Sequence, residues 1–422
     1  MQFRHPLYGF FLAFGSCTLC VGATIAVDAD GGGDYTTIQE AVDAAASGDL
    51  IEIESGTYVD DDGDGVIVAI SSKDLTITAP DGGVILDGDG TAQGFAVTHA
   101  TTYLYRLDLL DCTALDGEGG GGLLFDDWGG SGENLWIISC TFTSCSSPIE
   151  FDQGGAIRIQ GRTSASPVNY EINDCIFTSC TSATYAGALH TQNASGLIID
   201  TSFIECSAST GGACEFREGS CDIYQCVFQG NSTTNDGGAI RVYSDDADIT
   251  IGDSSFNGNQ ARMGSAIYQN RGDVTLINCE LIDNVSVLHG CLHLRDNDPA
   301  AIIEVVGCLF SGNETDTWLG DAGISGNTVV NLTVSDSILC DHPSGGDIAI
   351  AYTDGGGNDL GNWCCPGDID GDGDVDAVDL EALLAGYGDG SLDADDREDY
   401  SRDGTVDVED LIGMLSQWGT CG

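Results

Sequence analysis

Lysine is nearly absent from this chain. Lys73 stands alone, and 12 Lys and Arg together face 68 Asp and Glu, a formal charge of −56 over 422 residues. A polyanion of this strength repels other polyanions, which excludes nucleic acid as a partner. Proline is also scarce, with 7 residues against 60 glycines, a balance that argues for many tight turns between short strands. No apolar run is long enough to serve as a membrane span. The 42% of hydrophobic residues nonetheless excludes a disordered acidic tail, because that much apolar surface can be buried. An ordinary two-lobed cytosolic enzyme does not have this composition.

The first 23 residues read as an export signal. Arg4 supplies a weakly positive start, Leu7 to Phe14 an apolar stretch, and Val21-Gly22-Ala23 a small-residue cleavage site. Lipidation of Cys17 after Phe14-Gly15-Ser16 is the weaker reading of the same segment. Cleavage after Ala23 leaves a charge of 11 − 68 = −57 and 16 of the 18 cysteines, an even number suited to an oxidising setting. The expectation is a secreted or cell-surface protein.

Two short signatures alternate along the middle of the chain. One starts with a small, apolar or Cys residue, has an aromatic or aliphatic residue two positions on, and then usually Asn or Cys three later. It reads Leu107/Leu109/Cys112, Cys140/Phe142/Cys145, Cys175/Phe177/Cys180, Thr201/Phe203/Cys206 and Cys226/Phe228/Asn231, and continues through Ser254/Phe256/Asn259, Cys279/Leu281/Asn284, Cys308/Phe310/Asn313 and Ser337/Leu339/His342. The other is a Gly-Gly-Ala-Ile type tetrapeptide starting at Gly121, Gly154, Ala186, Gly211, Gly237, Gly264, His289, Asp321 and Gly345, successive starts lying 24 to 33 residues apart.

One such unit cannot bury its own apolar residues, and the stretches after both signatures alternate apolar and polar with period two. Stacking equivalent strands ~4.8 Å apart solves both problems. Matched letters then form interior columns: a Phe column, an Ile/Leu column, and a ladder of Asn amides that hydrogen-bond from rung to rung. The fold predicted is mainly β, a parallel β-helix. Thr36 with Gln39 makes a capping box, and Ile38, Ala41, Val42 and Ala45 share one face, so a short N-terminal helix covers the first rung. Cys112, Cys145, Cys180 and Cys206 stand where later rungs carry Asn. Neighbouring rungs bring such cysteines near disulfide range, so they either bridge or stack as small apolar groups.

The pair Gly237-Gly238-Ala239-Ile240 and Phe228-Gln229-Gly230-Asn231 resembles the repeats of polymorphic outer-membrane proteins. The opening Gly33-Asp34-Tyr35-Thr36-Thr37-Ile38-Gln39-Glu40-Ala41, with Gly48-Asp49-Leu50-Ile51-Glu52-Ile53 and Gly56-Thr57-Tyr58, is similar to the start of pectin-lyase-like right-handed β-helices. The two resemblances cover residues 24–363. They imply a right-handed parallel β-helix and say little about activity.

After residue 363 the composition changes. Residues 368–379 and 399–410 place oxygen-bearing side chains at loop positions 1, 3, 5, 7, 9 and 12 with Gly at position 6, the pattern a calcium ion requires. The ligands are Asp368, Asp370, Asp372, Asp374, Asp376 and Asp379 in one loop. Asp399, Ser401, Asp403, Thr405, Asp407 and Asp410 form the other, with Thr405 contributing its carbonyl. Each loop runs into an apolar helix, through Leu380, Leu383 and Leu384 or through Leu411, Ile412, Met414 and Leu415. This duplicated unit, residues 364–422, resembles a type I dockerin. The resemblance implies two calcium ions and a cohesin-like partner docking on Ala377-Val378 and Val408-Glu409, although the small hydroxyl pair common there is missing. Cys365 and Cys421 flank the unit and could clasp its ends. The acidic stretch Asp60-Asp61-Asp62-Gly63-Asp64 reads as an exposed turn.

The residue following each tetrapeptide points outward if the Ile column points inward. This row reads Phe125, Arg158, His190, Glu215, Arg241, Tyr268, His293, Ser325 and Ala349. Two residues on, a second row holds Asp127, Gln160, Gln192, Arg217, Tyr243, Asn270 and Arg295. Four of the few arginines thus share one face. The candidate ligand-binding residues are Arg158, His190, Glu215, Arg217, Arg241, Tyr243, Tyr268, His293 and Arg295, a set suited to an acidic polysaccharide. Lyase chemistry is open to Arg241, Tyr268, His190 and His293. Hydrolysis is disfavoured because Asp127 and Glu215 lie three rungs apart, beyond the ~5–9.5 Å spacing of carboxylate pairs. The alternative is a solenoid that acts only as a structural or adhesive spacer.

Overall fold

The structure is a computed structural model describing residues 22–115, 117–127, 132–163, 167–295, 301–315, 323–326, 331–340, 348–360, 374–387, 405–416 and 418–420. From residue 24 to 360 it is a parallel β-helix in which every strand pairing described is parallel. Each full turn has four faces. In one turn these are Ile157–Gln160, Val168–Asn173, Ile176–Thr178 and Thr181–Ser182. The first two faces belong to one 21-stranded sheet, because Ile240–Gly252 and Ile267–Ile277 run through the corner between them without a break. The third face has 12 strands and the fourth 7.

Single residues with positive φ make the corners after the second and third faces. Asp174, Asp200, Gln225, Asp253 and Asn278 sit at φ between 50° and 55° at one corner, and Ser144, Ser179, Glu205 and Asp283 at 53° to 54° at the other. Asp and Asn predominate at the first of these, being the non-glycine residues that pay least for this conformation.

Inside, the anticipated columns are present. Phe142, Phe177, Phe203, Phe228 and Phe256 stack with ring centroids 4.7 to 4.9 Å apart. In the same register Leu109 precedes them and Leu281, Phe310 and Leu339 follow. The amides of Asn231, Asn259 and Asn284 each donate to the next Asn Oδ1 at 2.9 to 3.0 Å, and these three and Asn313 each donate to the carbonyl of a preceding rung.

Twelve cysteines, from Cys112 to Cys308, are buried thiols, so the bridging considered from the sequence does not occur among them. Geometry accounts for this. In-register neighbours hold their Cβ atoms about one rung apart, ~4.8 Å, wider than the ~3.8 Å mean across a disulfide. The sulfurs donate instead to carbonyls, as Cys175 Sγ does to Ile137 O and Asn173 O at 3.5 and 3.3 Å.

At the N-terminal end helix α1, Ile38–Ala44, buries Ile38, Ala41 and Val42 in the same core. Its cap is Thr37, whose side chain accepts from Glu40 N at 3.2 Å, one residue later than the capping box read from the sequence. Near the C-terminus, helices α2, Ala377–Gly386, and α3, Val408–Ser416, share a separate small core of Val375, Leu383, Val406 and Met414. Among the described residues no helix is long and apolar enough to cross a membrane.

Candidate functional site

The site is built where the fourth face turns into the first. Gly154, Gly211, Gly237 and Gly264 hold φ between 62° and 76° at this corner. A Cβ on Gly237 would come within 2.5 Å of Ile240 O, so the sharp turn needs glycine. The chain before the corner also stacks between rungs, through the bridges Gln153↔Tyr185, Tyr185↔Thr210 and Asp236↔Met263. A residue of this strap and the residue five positions later, on the first face, therefore look at each other across a concave angle. Tyr185 faces His190 with ring centroids 6.3 Å apart. Thr210 Oγ1 meets Glu215 Oε2 at 3.0 Å.

This concavity corrects the sequence reading. The register does align Arg158, His190, Glu215, Arg241, Tyr268, His293 and Ser325 in a single row. The row is not solvent-exposed: every member is buried except Arg158, which is half-buried. The strap covers it. At the N-terminal end the row begins with Leu124, not Phe125, which is interior, because Gly120 takes the corner and shifts the tetrapeptide by one. Asp126, not Asp127, accordingly pairs with Gln160 in the second row. Tyr243 pairs with Arg271 where Asn270 was expected, across a register shift.

Glu215 is the hub. Its carboxylate accepts from Arg217 Nε at 2.6 Å, Arg241 Nη1 at 3.0 Å and the Thr210 hydroxyl. The guanidinium of Arg217 lies 4.3 Å from the Tyr185 ring centroid and 5.1 Å from that of Tyr243, and Arg241 lies 4.2 Å from Tyr243. Further along, Arg295 Nη1 donates to the Tyr268 hydroxyl at 3.2 Å. Burial raises the Tyr268 phenol above its ordinary value, and Arg295 opposes that. Burial likewise raises the Asp236 carboxyl, against the pull of Arg241, Arg262 and Arg295.

His293 sits between the rings of Tyr268 and His289, at 5.5 and 4.6 Å. Ser325 Oγ accepts from Gly290 N at 2.9 Å and shares a second hydrogen bond with His293 Nδ1 at 2.9 Å. Nε2 of the same ring has no hydrogen-bond partner. Burial, helped by His289 and Arg295, lowers this imidazole to about 3, so it is neutral. His190 is pushed down as well, by burial first and then by Arg217, Arg158 and Arg241.

Asp127 lies just off the row. It is buried, accepts from Gly132 N at 3.1 Å, and is held up at about 6 by burial and by Glu133. A carboxyl raised on folding binds its proton more tightly in the folded state. Its penalty is therefore absent below the unfolded value of about 3.9, grows as pH rises, and is complete above about pH 6. Asp127→Asn is expected to match the native chain in acid and to exceed its stability by up to about 3 kcal/mol at neutral pH, read from urea midpoints.

Of the residues proposed to hold calcium, Asp374, Asp376, Asp379, Thr405, Asp407 and Asp410 are described; Asp368, Asp370, Asp372, Asp399, Ser401 and Asp403 lie outside the described residues. Asp379 and Asp410 are fully buried at equivalent places and accept from the backbone N–H of Asp376 and Asp407 at 2.8 and 2.6 Å. Asp376 caps α2 by accepting from Val378 N at 2.7 Å. The carboxylates of Asp60, Asp62 and Asp64 lie close together, but Asp60 already accepts from Gly63 N and Gly65 N, as an acidic turn would.

No protein-family profile matches this chain, and no curated protein is significantly similar to it in sequence. Among solved structures, one described as a mannuronic acid specific polysaccharide family 6 lyase from human gut microbiota aligns over 89% of this chain and 91% of its own. The identity is 11% and the TM-score 0.32, a likeness that transfers no activity.

Proposed function

We propose that this is an exported parallel β-helix that binds an acidic polysaccharide along the concave slot. One observation carries the reading. In a chain with 12 Lys and Arg, the guanidinium groups of Arg158, Arg217 and Arg241 all act on one buried imidazole, His190, and Arg241, Arg262 and Arg295 all act on Asp236. A slot where the few cations of a polyanion gather is the place on it that attracts a ligand bearing carboxylates or sulfates. Tyr243, 40% exposed, and the half-buried Tyr185 add flat faces suited to sugar rings.

Binding is tested by calorimetry with a polyuronate and with the same polymer after its carboxyl groups are reduced to alcohols. The native chain is expected to bind the first, more weakly as salt rises, and to ignore the second. Following unsaturated-product absorbance in the same samples separates binding from lyase turnover. Equal affinity for both polymers would contradict recognition of the acid groups, and none for either would leave the structural-spacer reading in place.

The C-terminal unit supports a second, separable role as a calcium-dependent attachment module resembling a dockerin. Its support is the equivalent placement of the buried carboxylates Asp379 and Asp410, each at the last ligand position of its loop. Val378 and Val408, at the positions where such modules meet a cohesin-like partner, are each about half exposed, at 52% and 51%. Chelation is expected to melt α2 and α3, exposing residues 365–422 to protease, while the circular-dichroism signal of the β-helix persists. Simultaneous loss of both signals would contradict separable modules.

A further inference from the structure

The rung carrying Tyr185 and His190 differs from its neighbours in two ways. His190 alone among the polar members of the row has no hydrogen bond on either ring nitrogen, although it is fully buried. The corner of this rung is also abnormal: where the rungs on either side have Gly154, Gly211 and Gly237, it has Ala186, held at φ 53°. A side chain in that conformation is strained, and strain of this kind collects at functional positions. The strap of the adjacent rung is strained too. Phe151 stands at φ 77° and is 69% exposed at the rim of the slot, its N–H donating to Thr184 Oγ1 at 2.8 Å. A strained corner and a strained strap thus flank the rung whose imidazole has unmet hydrogen bonds.

A neutral imidazole offers one N–H donor and one bare lone pair. A fitting ligand must therefore supply an acceptor and a donor together, and its charge must suit the arginines around the ring. An inorganic anion such as sulfate brings acceptors only. A neutral sugar brings no carboxylate to the side of the ring where Arg158, Arg217 and Arg241 act on it. A hexuronic acid residue carries a carboxylate and hydroxyl groups on one ring and meets all three conditions.

We propose that His190 is the contact residue for a uronic acid unit, reached when the Tyr185 strap moves aside: its N–H donates to a ring substituent or carboxylate oxygen, its lone pair accepts from a hydroxyl, and the carboxylate lies toward Arg158 and Arg217. This rests on the acidic-polysaccharide reading and narrows it to uronates. Tyr185 is the cover, stacked on Arg217 at 4.3 Å when the slot is closed.

The test compares the full-length native chain, His190→Phe and Tyr185→Ala in titrations with a uronate oligosaccharide, with inorganic sulfate, and with a sulfated galactan free of uronate. His190→Phe is expected to lose at least tenfold in uronate affinity while its thermal midpoint holds or rises, since two unmet polar atoms leave the interior. Tyr185→Ala is expected to speed modification of His190 by diethyl pyrocarbonate, read residue by residue in a mass spectrometer, and added uronate to suppress it. Three results would overturn the proposal: native affinity in His190→Phe, a sharp loss of its stability, or no change in His190 reactivity in Tyr185→Ala. Preference of the native chain for sulfated galactan over uronate would reject the uronate assignment while sparing the acidic-ligand reading. Failure of the native chain to bind any acidic polymer would remove both.

Discussion

Glu215→Ala should destabilise the chain by about 3–5 kcal/mol, the range for removing one partner from a buried charge pair. The carboxylate is fully buried and holds two guanidinium groups at 2.6 and 3.0 Å. Without it, Arg217 and Arg241 face each other and His190 across a corner that the strap shields from water. Glu215→Gln should cost less, because an amide oxygen still accepts from Thr210 and one guanidinium. Urea midpoints at constant slope measure both. A loss below about 1 kcal/mol for Glu215→Ala would mean that the slot is open enough for water to solvate the arginines.

Phe203→Ala should cost about 3–5 kcal/mol, as large-to-small changes in packed interiors do. Its ring touches Phe177 on one side and Phe228 on the other, both at 4.9 Å. The rungs are joined along three sheets, so neighbouring rings cannot collapse into the space without breaking register, and the cavity persists. Phe203→Leu should recover most of the loss, since Leu109, Leu281 and Leu339 already occupy this column. The change is small if Phe203 lies at the edge of the core.

The interior was legible in the sequence because stacking equivalent strands forces like residues into the same column. Period and letter identity together placed the Phe rings and the Asn ladder. The first rungs follow the same rule, with strands beginning at Leu50, Val66, Leu75 and Val84. The burial of the outward row was not legible. Period-two alternation tells inside from outside on a flat face, and it carries no information about a concave corner where a second stretch of chain folds over the outside. The signal that could have revealed it is the spacing of five between Tyr185 and His190, Thr210 and Glu215, and Asp236 and Arg241, which pairs complementary groups. The run Gly119 to Gly122 hid the register at the N-terminal end of the row, since four glycines align equally well in several ways. The residue missed was Tyr185, because it precedes the repeat signature and its counterparts in the neighbouring rungs, Gln153 and Thr210, are not aromatic. Ala186, by contrast, was read as one more tetrapeptide start, and only the φ of its backbone distinguishes it.

The account stands or falls on where an acidic polymer touches the protein. Hydrogen exchange, followed by mass spectrometry with and without a uronate oligosaccharide, locates that contact directly. Protection is expected in peptides covering 183–192, 209–217 and 235–243, with the outer corners at Asp174, Asp200 and Asp253 unchanged. Protection centred on those outer corners, or a uniform pattern in all rungs, would contradict a ligand seated in the concave slot.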